Sequence, residues 1–258
     1  MYRKYVAMQI KTSLEYRLNI LFLGISQATV SVAEFLSVYM MFLQFNSVGG
    51  WTFYEVALMF GIITTVFSLA ECFARGYDEF PSLIKNGDLD RMLVRPVGIH
   101  KQIFGSKIEF NKFGRIILGI VVTIIALVNL NIEWNIWKVL VLIATLVCGF
   151  LVILGIFMIG AGISVFSIDN LEFVNIITNG SKELAFYPLD IYKKWLSRFF
   201  TFIIPIACFN YLPVNFILGK GSLPAVVYGL SPLFGMVFFI PCLIFMNWSL
   251  TKYKGTGT

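Results

Sequence analysis

Residues 139–166 run for 28 positions without one charged side chain. About 20 apolar residues in an α-helix suffice to cross the hydrocarbon of a bilayer. At that depth no water can satisfy backbone N–H and C=O groups, so a run of this kind crosses as a helix. Residues 19–43, 53–73, 113–130 and 227–248 are also long apolar runs, with one or two charged residues in each but the last. Hydrophobic residues make up 58% of the chain and charged residues 13%, where a soluble domain carries about 25% charged. Mean hydropathy is +0.83. The fold class is therefore an all-α polytopic membrane protein. It forms a single transmembrane domain over residues 1–258, with room for six spans and little else.

The connections are unequal. "FNSVGGWT" (45–52) and "NIEWNIW" (131–137) are short turns with tryptophans suited to headgroup depth. Residues 75–112 form one long polar connection. Tyr2, Val6, Ile10 and Leu14 recur every fourth residue beside Arg3, Lys4, Lys11 and Glu15. That pattern predicts an amphipathic helix over 1–18 lying on the membrane surface. No small-residue cleavage site follows the first apolar run, so span one is expected to anchor the chain directly. Fourteen of the 20 lysines and arginines fall in the N-terminal segment, in residues 75–115 and in the tail. The excess of basic residues on cytoplasmic loops then predicts an N-in, C-in topology with 75–112 inside. The net charge of +6 is explained by contact with anionic lipid, and no nucleic-acid partner is expected.

Residues 160–226 admit two topologies. In the first, 199–218 is a plain fifth span and Lys182, Lys193, Lys194 and Arg198 are cytoplasmic, as the charge rule prefers. In the second, 171–186 is a weak polar-faced span. Residues 195–218 then dip in from the far side as a hairpin broken at Pro205 and Pro213.

Reactive chemistry is scarce. "FILGKGS" lacks a glycine five residues before Gly219 and has Gly221 where a magnesium-binding Ser or Thr would follow Lys220, so it is no phosphate loop. His100 is the single histidine, which leaves no catalytic triad and no metal constellation; neither catalytic nor metal-binding residues are expected. Cys72, Cys148, Cys208 and Cys242 lie in apolar surroundings without CxxC spacing and are expected to be buried small hydrophobes. Asp78, Glu79, Asp88 and Asp90 sit among bases and are expected to be solvated loop charge. Two acids within spans, Glu34 and Glu71, need weighing. Glu34, in the middle of span one, would line a cavity or meet another helix. Glu71, near the end of span two, has the same options, but can also reach Arg75 four residues on. An intramembrane charge costs about 2.5–3.5 kcal/mol on insertion scales, so each needs a partner or water.

The 75–112 connection contains "SLIKNGDLDRMLVRPVG" (82–98). Pro81 suits the first turn of a helix that places Phe80, Leu83 and Ile84 on one face. Asn86-Gly87 would end it with a left-handed cap. Asp88 would cap a second short helix carrying Leu89, Met92 and Leu93, and Arg95-Pro96 would stop it. Two short helices with apolar anchors amid charges form a surface for another protein to grip.

"LIKNGDLDRMLVRPVG" resembles the loop of ABC-2-type permeases, the membrane subunits of ATP-driven exporters. "FYPLDIYKKWLSRFFTFIIPIACFNYLPVNFILG" (186–219) is similar to the same family's proline-spaced region, and "YRKYVAMQIKTSLEYRLNILF" to its N-terminal helix. The resemblance implies six spans per subunit, a second permease subunit (identical or homologous), and two copies of an ATP-binding cassette subunit that carry ATP and magnesium. This chain itself would bind no cofactor. It also implies that Phe80, Leu83, Ile84, Leu89, Asp90, Arg91, Leu93 and Arg95 belong to a coupling helix docked on that ATPase. Residues 187–226 would form outer re-entrant helices, which favours the second topology, and spans one, two and five would line the path. The implied location is the plasma (inner) membrane of a prokaryote. The alternative from residues alone is a stand-alone ion-coupled carrier, although no inverted repeat relates the halves.

Overall fold

The computed structural model describes residues 17–167, 171–221 and 224–255. The expected surface helix over 1–18 thus lies outside the described residues, except for its last two. Among the described residues the secondary structure is helical, with one isolated bridge between Val48 and Trp51.

Helix α1 (Arg17–Gln44) and α2 (Phe53–Phe73) are joined by a tight turn. Gly49 and Gly50 there adopt φ of 59° and 82°, the left-handed region open to glycine. Thr52 and Glu55 start α2 in the S/T-x-x-E pattern, the Thr52 N–H donating to Glu55 Oε2 at 2.9 Å. Four short helices fill the polar connection: α3 (Arg75–Asp78), α4 (Phe80–Lys85), α5 (Asp88–Leu93) and α6 (Ile99–Ser106). Then follow α7 (Phe113–Asn129), α8 (Ile136–Ser164), α9 (Leu171–Leu184), α10 (Lys194–Phe202), α11 (Tyr211–Leu218) and α12 (Ala225–Lys252). Helices α1, α2, α8 and α12, and the stretch Phe110–Asn129 that contains α7, are each long and apolar enough to cross a membrane. The apolar pair α10 and 206–218 would be a sixth, bent by 75° at its break.

Helix α2 is the centre of the bundle, buried almost without interruption from Glu55 to Cys72. Its contact with α7 is set by glycine. A Cβ on Gly61 would lie 2.8 Å from the Thr123 backbone N, and one on Gly119 would lie 2.8 Å from that of Thr65. The Gly-x-x-x-Thr pairs 61/65 and 119/123 therefore let two backbones touch, as small residues do between membrane helices.

The bundle has two ends. The 45–52 and 130–136 turns mark one (the turn end), and residues 74–112 the other (the loop end). Ile191 Cγ1 lies against Gly49, and Lys220 Nζ is 3.3 Å from the Gly50 carbonyl and 2.7 Å from Glu55 Oε2. Both flanks of α10–α11 thus meet the turn end. Between them, Phe209 packs at Gly149 and Val66, halfway along α8 and α2. The break falls between Phe202 and Ile206, at Pro205. Pro213 breaks nothing, because it occupies the first turn of α11, where a missing N–H is harmless. Thr178 and Asn179 of α9 line a cavity at the loop end, and the Phe186 ring lies tilted against that of Phe60 of α2, centres 4.6 Å apart. With 14 residues, α9 covers about 21 Å, and the chain continues to the turn end through the short 3₁₀ turn Leu189–Ile191.

Candidate functional site

The two short helices form where the proline and glycine signals place them. Pro81 lies in the first turn of α4, and Gly87 adopts φ 68°. Gly87, rather than Asp88, is the N-cap of α5; Asp88 begins the helix and pairs with Arg91 at 3.2 Å.

Most of their apolar residues turn inward. Phe80 and Leu89 are 0% exposed and Ile84 4%; Leu83 is half-buried. These are core residues of the chain itself, packed with Ile103 and Tyr77 in the main cluster. Phe80, Ile84 and Leu89 are thus turned inward, against the expectation of outward anchors, while Leu93 is not. On a loop covering the end of a bundle, the nearest apolar surface is the bundle, and short helices close on it. The outward residues lie at the end of α5 and just past it: Arg91, Leu93 (48% exposed), Val94 (83%) and Arg95. Asp90 is half-buried, and its carboxylate lies close to the position a Cβ on Gly255 would take.

Four side chains hold this tip in place, and none was legible in advance. Gln102, 1% exposed, donates from Nε2 to the carbonyls of Met92 (2.9 Å) and Val97 (2.8 Å), clamping both ends of the 93–96 turn. The Tyr77 hydroxyl donates to His100 Nδ1 at 2.7 Å, and His100 Nε2 donates to Asn247 Oδ1 at 2.8 Å. That relay ties α3 and α6 to α12. A Cβ on Gly76 would collide with the Ile103 carbonyl, so α3 and α6 pack backbone to backbone.

Beneath the tip lies a charge network. Glu71 accepts from Lys112 Nζ (2.9 Å) and Arg115 Nη1 (3.1 Å), all three buried. Arg115 also donates to Ser31 Oγ (3.0 Å) and Gln27 Oε1 (3.4 Å) on α1. Glu71 therefore pairs with Lys112 and Arg115 rather than Arg75, which instead pairs with Asp78, with Glu79 at 3.1 Å and with Glu109 at 3.3 Å. Lys107 reaches Glu79 at 2.5 Å. Four carboxylates face four cations. Asp78 and Glu79 are thus members of this network and not solvated loop charge. Burial pushes the Asp78 carboxyl above its ordinary value, against Arg75. Burial also opposes ionisation of Glu79, but Lys107 and then Arg75 outweigh it and hold that carboxyl low. A polar cavity of about 390 Å³ opens beside the network, lined by Glu71, Arg75, Asp78, Glu79 and Asn179 among others.

Glu34 has a single strong partner. Lys182 of α9 donates to both its carboxylate oxygens at 2.8 and 3.0 Å, and its ammonium also sits 5.3 Å from the Phe186 ring centre. The pair joins α1 to α9 in mid-bundle. All four cysteines are free and buried. Among the described residues, no group of three or more His, Cys, Asp or Glu is placed to hold a metal ion.

No curated protein matches the chain. The bundle has five helices able to cross a membrane, or six with the bent pair, and the family model for an ABC-2 family transporter protein matches residues 28–257, so the chain belongs to the ABC-2 transporter family as a multi-pass membrane protein.

Proposed function

We propose that the chain is the permease subunit of an ATP-driven exporter, docked through its 75–112 loop on separate ATP-binding subunits. Two ATPase copies and a second permease, identical or homologous, complete the assembly in a prokaryotic plasma membrane. The loop and both ends of the chain face the cytoplasm, and 187–226 forms a re-entrant region outside. Eleven described basic residues at the loop end, from Arg17, residues 75–115, Lys252 and Lys254, and both flanks of α10–α11 at the turn end, support that orientation.

The observation that carries the proposal is the tip Leu93-Val94-Arg95. Two apolar side chains stand in water between two arginines, on a turn clamped by Gln102. Leaving an aliphatic side chain uncovered forgoes about 1.5–3 kcal/mol; a partner groove would recover it. A push on the tip passes through α5 and α4 into the Arg75–Glu109 and Glu71–Arg115 contacts, and so to α2, α7 and α1. ATP and magnesium belong to the partner, and this chain supplies the path.

The test is co-purification. Leu93→Asp with Val94→Asp should insert and fold normally but lose the ATP-binding partner and export together. A double variant that keeps both would overturn the docking surface. The second reading, an ion-coupled carrier, draws on the intramembrane Glu34–Lys182 pair; family membership weighs against it. Export by vesicles that needs an ion gradient and ignores ATP would favour it.

A further inference from the structure

The positive-inside rule leaves a residue of unexplained charge. Lys193, Lys194, Arg198 and Lys220 lie towards the turn end, opposite the 75–112 loop with its seven lysines and arginines. Lys220 is accounted for by Glu55 at 2.7 Å and the Trp51 ring at 5.0 Å. Lys193, Lys194 and Arg198 are exposed, and among the described residues no carboxylate pairs with their side chains.

Lys194, Arg198 and Phe202 are spaced four apart on α10 and so share one face. They descend about 12 Å along the helix. At the bottom of that stripe, Thr201 and Phe202 enter the wall of a second cavity of about 450 Å³ between the α10–α11 hairpin and α12. Its α12 wall runs from Val227 to Pro241, a groove about 21 Å long. The polar atoms in the wall are already used. Thr201 donates to the Ser197 carbonyl, Ser231 to that of Tyr228, and the Cys208 thiol to that of Thr201. The groove therefore offers an occupant nothing but apolar contact. Its rim residues Phe202, Phe234 and Val237 are 80%, 60% and 62% exposed, and Trp195, 66% exposed, sits beside the cations, as tryptophan does at headgroup depth.

We propose that this face binds an anionic membrane phospholipid, with its phosphate on Lys194 and Arg198 and one acyl chain along the α12 groove. Bilayer hydrocarbon already solvates an acyl chain, so the groove contributes shape and packing. The two cations select the headgroup, since basic residues near the surface attract anionic lipid. The site is separate from the loop tip and does not depend on the ATP-binding partner.

The full chain is reconstituted in vesicles of equal phosphatidylglycerol and phosphatidylcholine and extracted in mild detergent. Retained lipid is then counted by native mass spectrometry. The wild-type chain should retain phosphatidylglycerol over phosphatidylcholine by about tenfold. K194Q/R198Q should bring that ratio close to one, and V237W, which fills the groove, should cut the amount retained several-fold. K252Q, at the other end of α12, should leave both unchanged. Equal retention of the two lipids by the wild-type chain overturns the proposal. So does an unchanged ratio in K194Q/R198Q, or an unchanged amount in V237W, when these variants stay monodisperse. Displacement of the lipid by glycerol phosphate as readily as by phosphatidylglycerol also overturns it, because the chain would then play no part. Co-purification of the partner with the same variants reports separately on the docking surface.

Discussion

Helices α1 and α2 face each other across the 45–52 turn, and both are long apolar runs, yet α2 is buried nearly throughout while α1 buries Ser31 and Val38 alone. Leu18, Phe22, Ile25, Met40 and Leu43 of α1 are each more than half exposed. What holds α1 is a polar stripe on its inner side: Gln27 and Ser31 to Arg115, and Glu34 to Lys182. A close approach assists it, since a Cβ on Gly114 would lie 2.6 Å from the Gly24 carbonyl. Helix α2 is held by packing on every side. Lipid solvates apolar side chains as well as protein does, so apolar surface alone fixes no position for a membrane helix. Close backbone contact and paired polar groups do that. The bare side of α1 can therefore change neighbours without loss of apolar contact, whereas α2 cannot move without breaking the bundle.

The sharpest break of this contrast is at Glu71. Glu71→Ala leaves Arg115 buried without its carboxylate and Lys112 with only Glu109 at 3.9 Å, which should cost about 3–5 kcal/mol and is read as a large loss of thermal stability in detergent. Ser31→Ala, at the α1 end of the same network, should cost only about 1 kcal/mol. Equal shifts in the two variants would show that the network does not divide between a packed helix and a tethered one.

Glycine substitutions come next. Gly61→Ala forces a methyl into the Thr123 backbone, for an overpacking cost of about 1–3 kcal/mol. Gly24→Ala meets nothing nearer than the Asn111 carbonyl at 3.7 Å and should be neutral within about 0.5 kcal/mol. Melting temperatures of the two purified variants decide it.

The Glu34–Lys182 tether should show smaller effects because Glu34 is about a quarter exposed, its side chain at 24%. A double-mutant cycle with Glu34→Gln and Lys182→Met should return a coupling of about 0.5–3 kcal/mol. Additive effects would mean that α1 is held by Arg115 alone.

The smallest effect on stability is expected at the loop tip. Gln102→Leu removes both bonds that clamp the 93–96 turn, yet the bundle is untouched. Melting should move little, while affinity for the ATP-binding partner falls. Wild-type affinity in this variant would show that the tip needs no clamp.

Hydropathy and turn chemistry carry far in this chain. The run over 139–166 is α8 with its ends shifted by a few residues, and Pro81, Asn86-Gly87 and Pro96 punctuate the loop much as their backbone preferences require. The loop's motif also marked the family, which the match over residues 28–257 establishes. The site was legible only as a segment. Phe80, Ile84 and Leu89 follow a helical period that names one apolar face but not what covers it, and the bundle covers it. Gln102 carried no signal, because a single glutamine in a polar loop resembles a solvated residue until two carbonyls are found on it.

Sequence by itself determined that this chain lives in a membrane, crosses it as helices and carries a folded loop at one end. Those properties depend on local composition and backbone chemistry, which neighbours in space do not alter. Tertiary structure alone decided which charges pair, which apolar face of the loop is used up internally, and that both flanks of α10–α11 meet the turn end. Each depends on residues far apart in the chain, such as Ser31 with Arg115 or Gly50 with Lys220. Local pattern holds no record of such distances, and in lipid the pairing of polar groups rather than apolar burial chooses among arrangements.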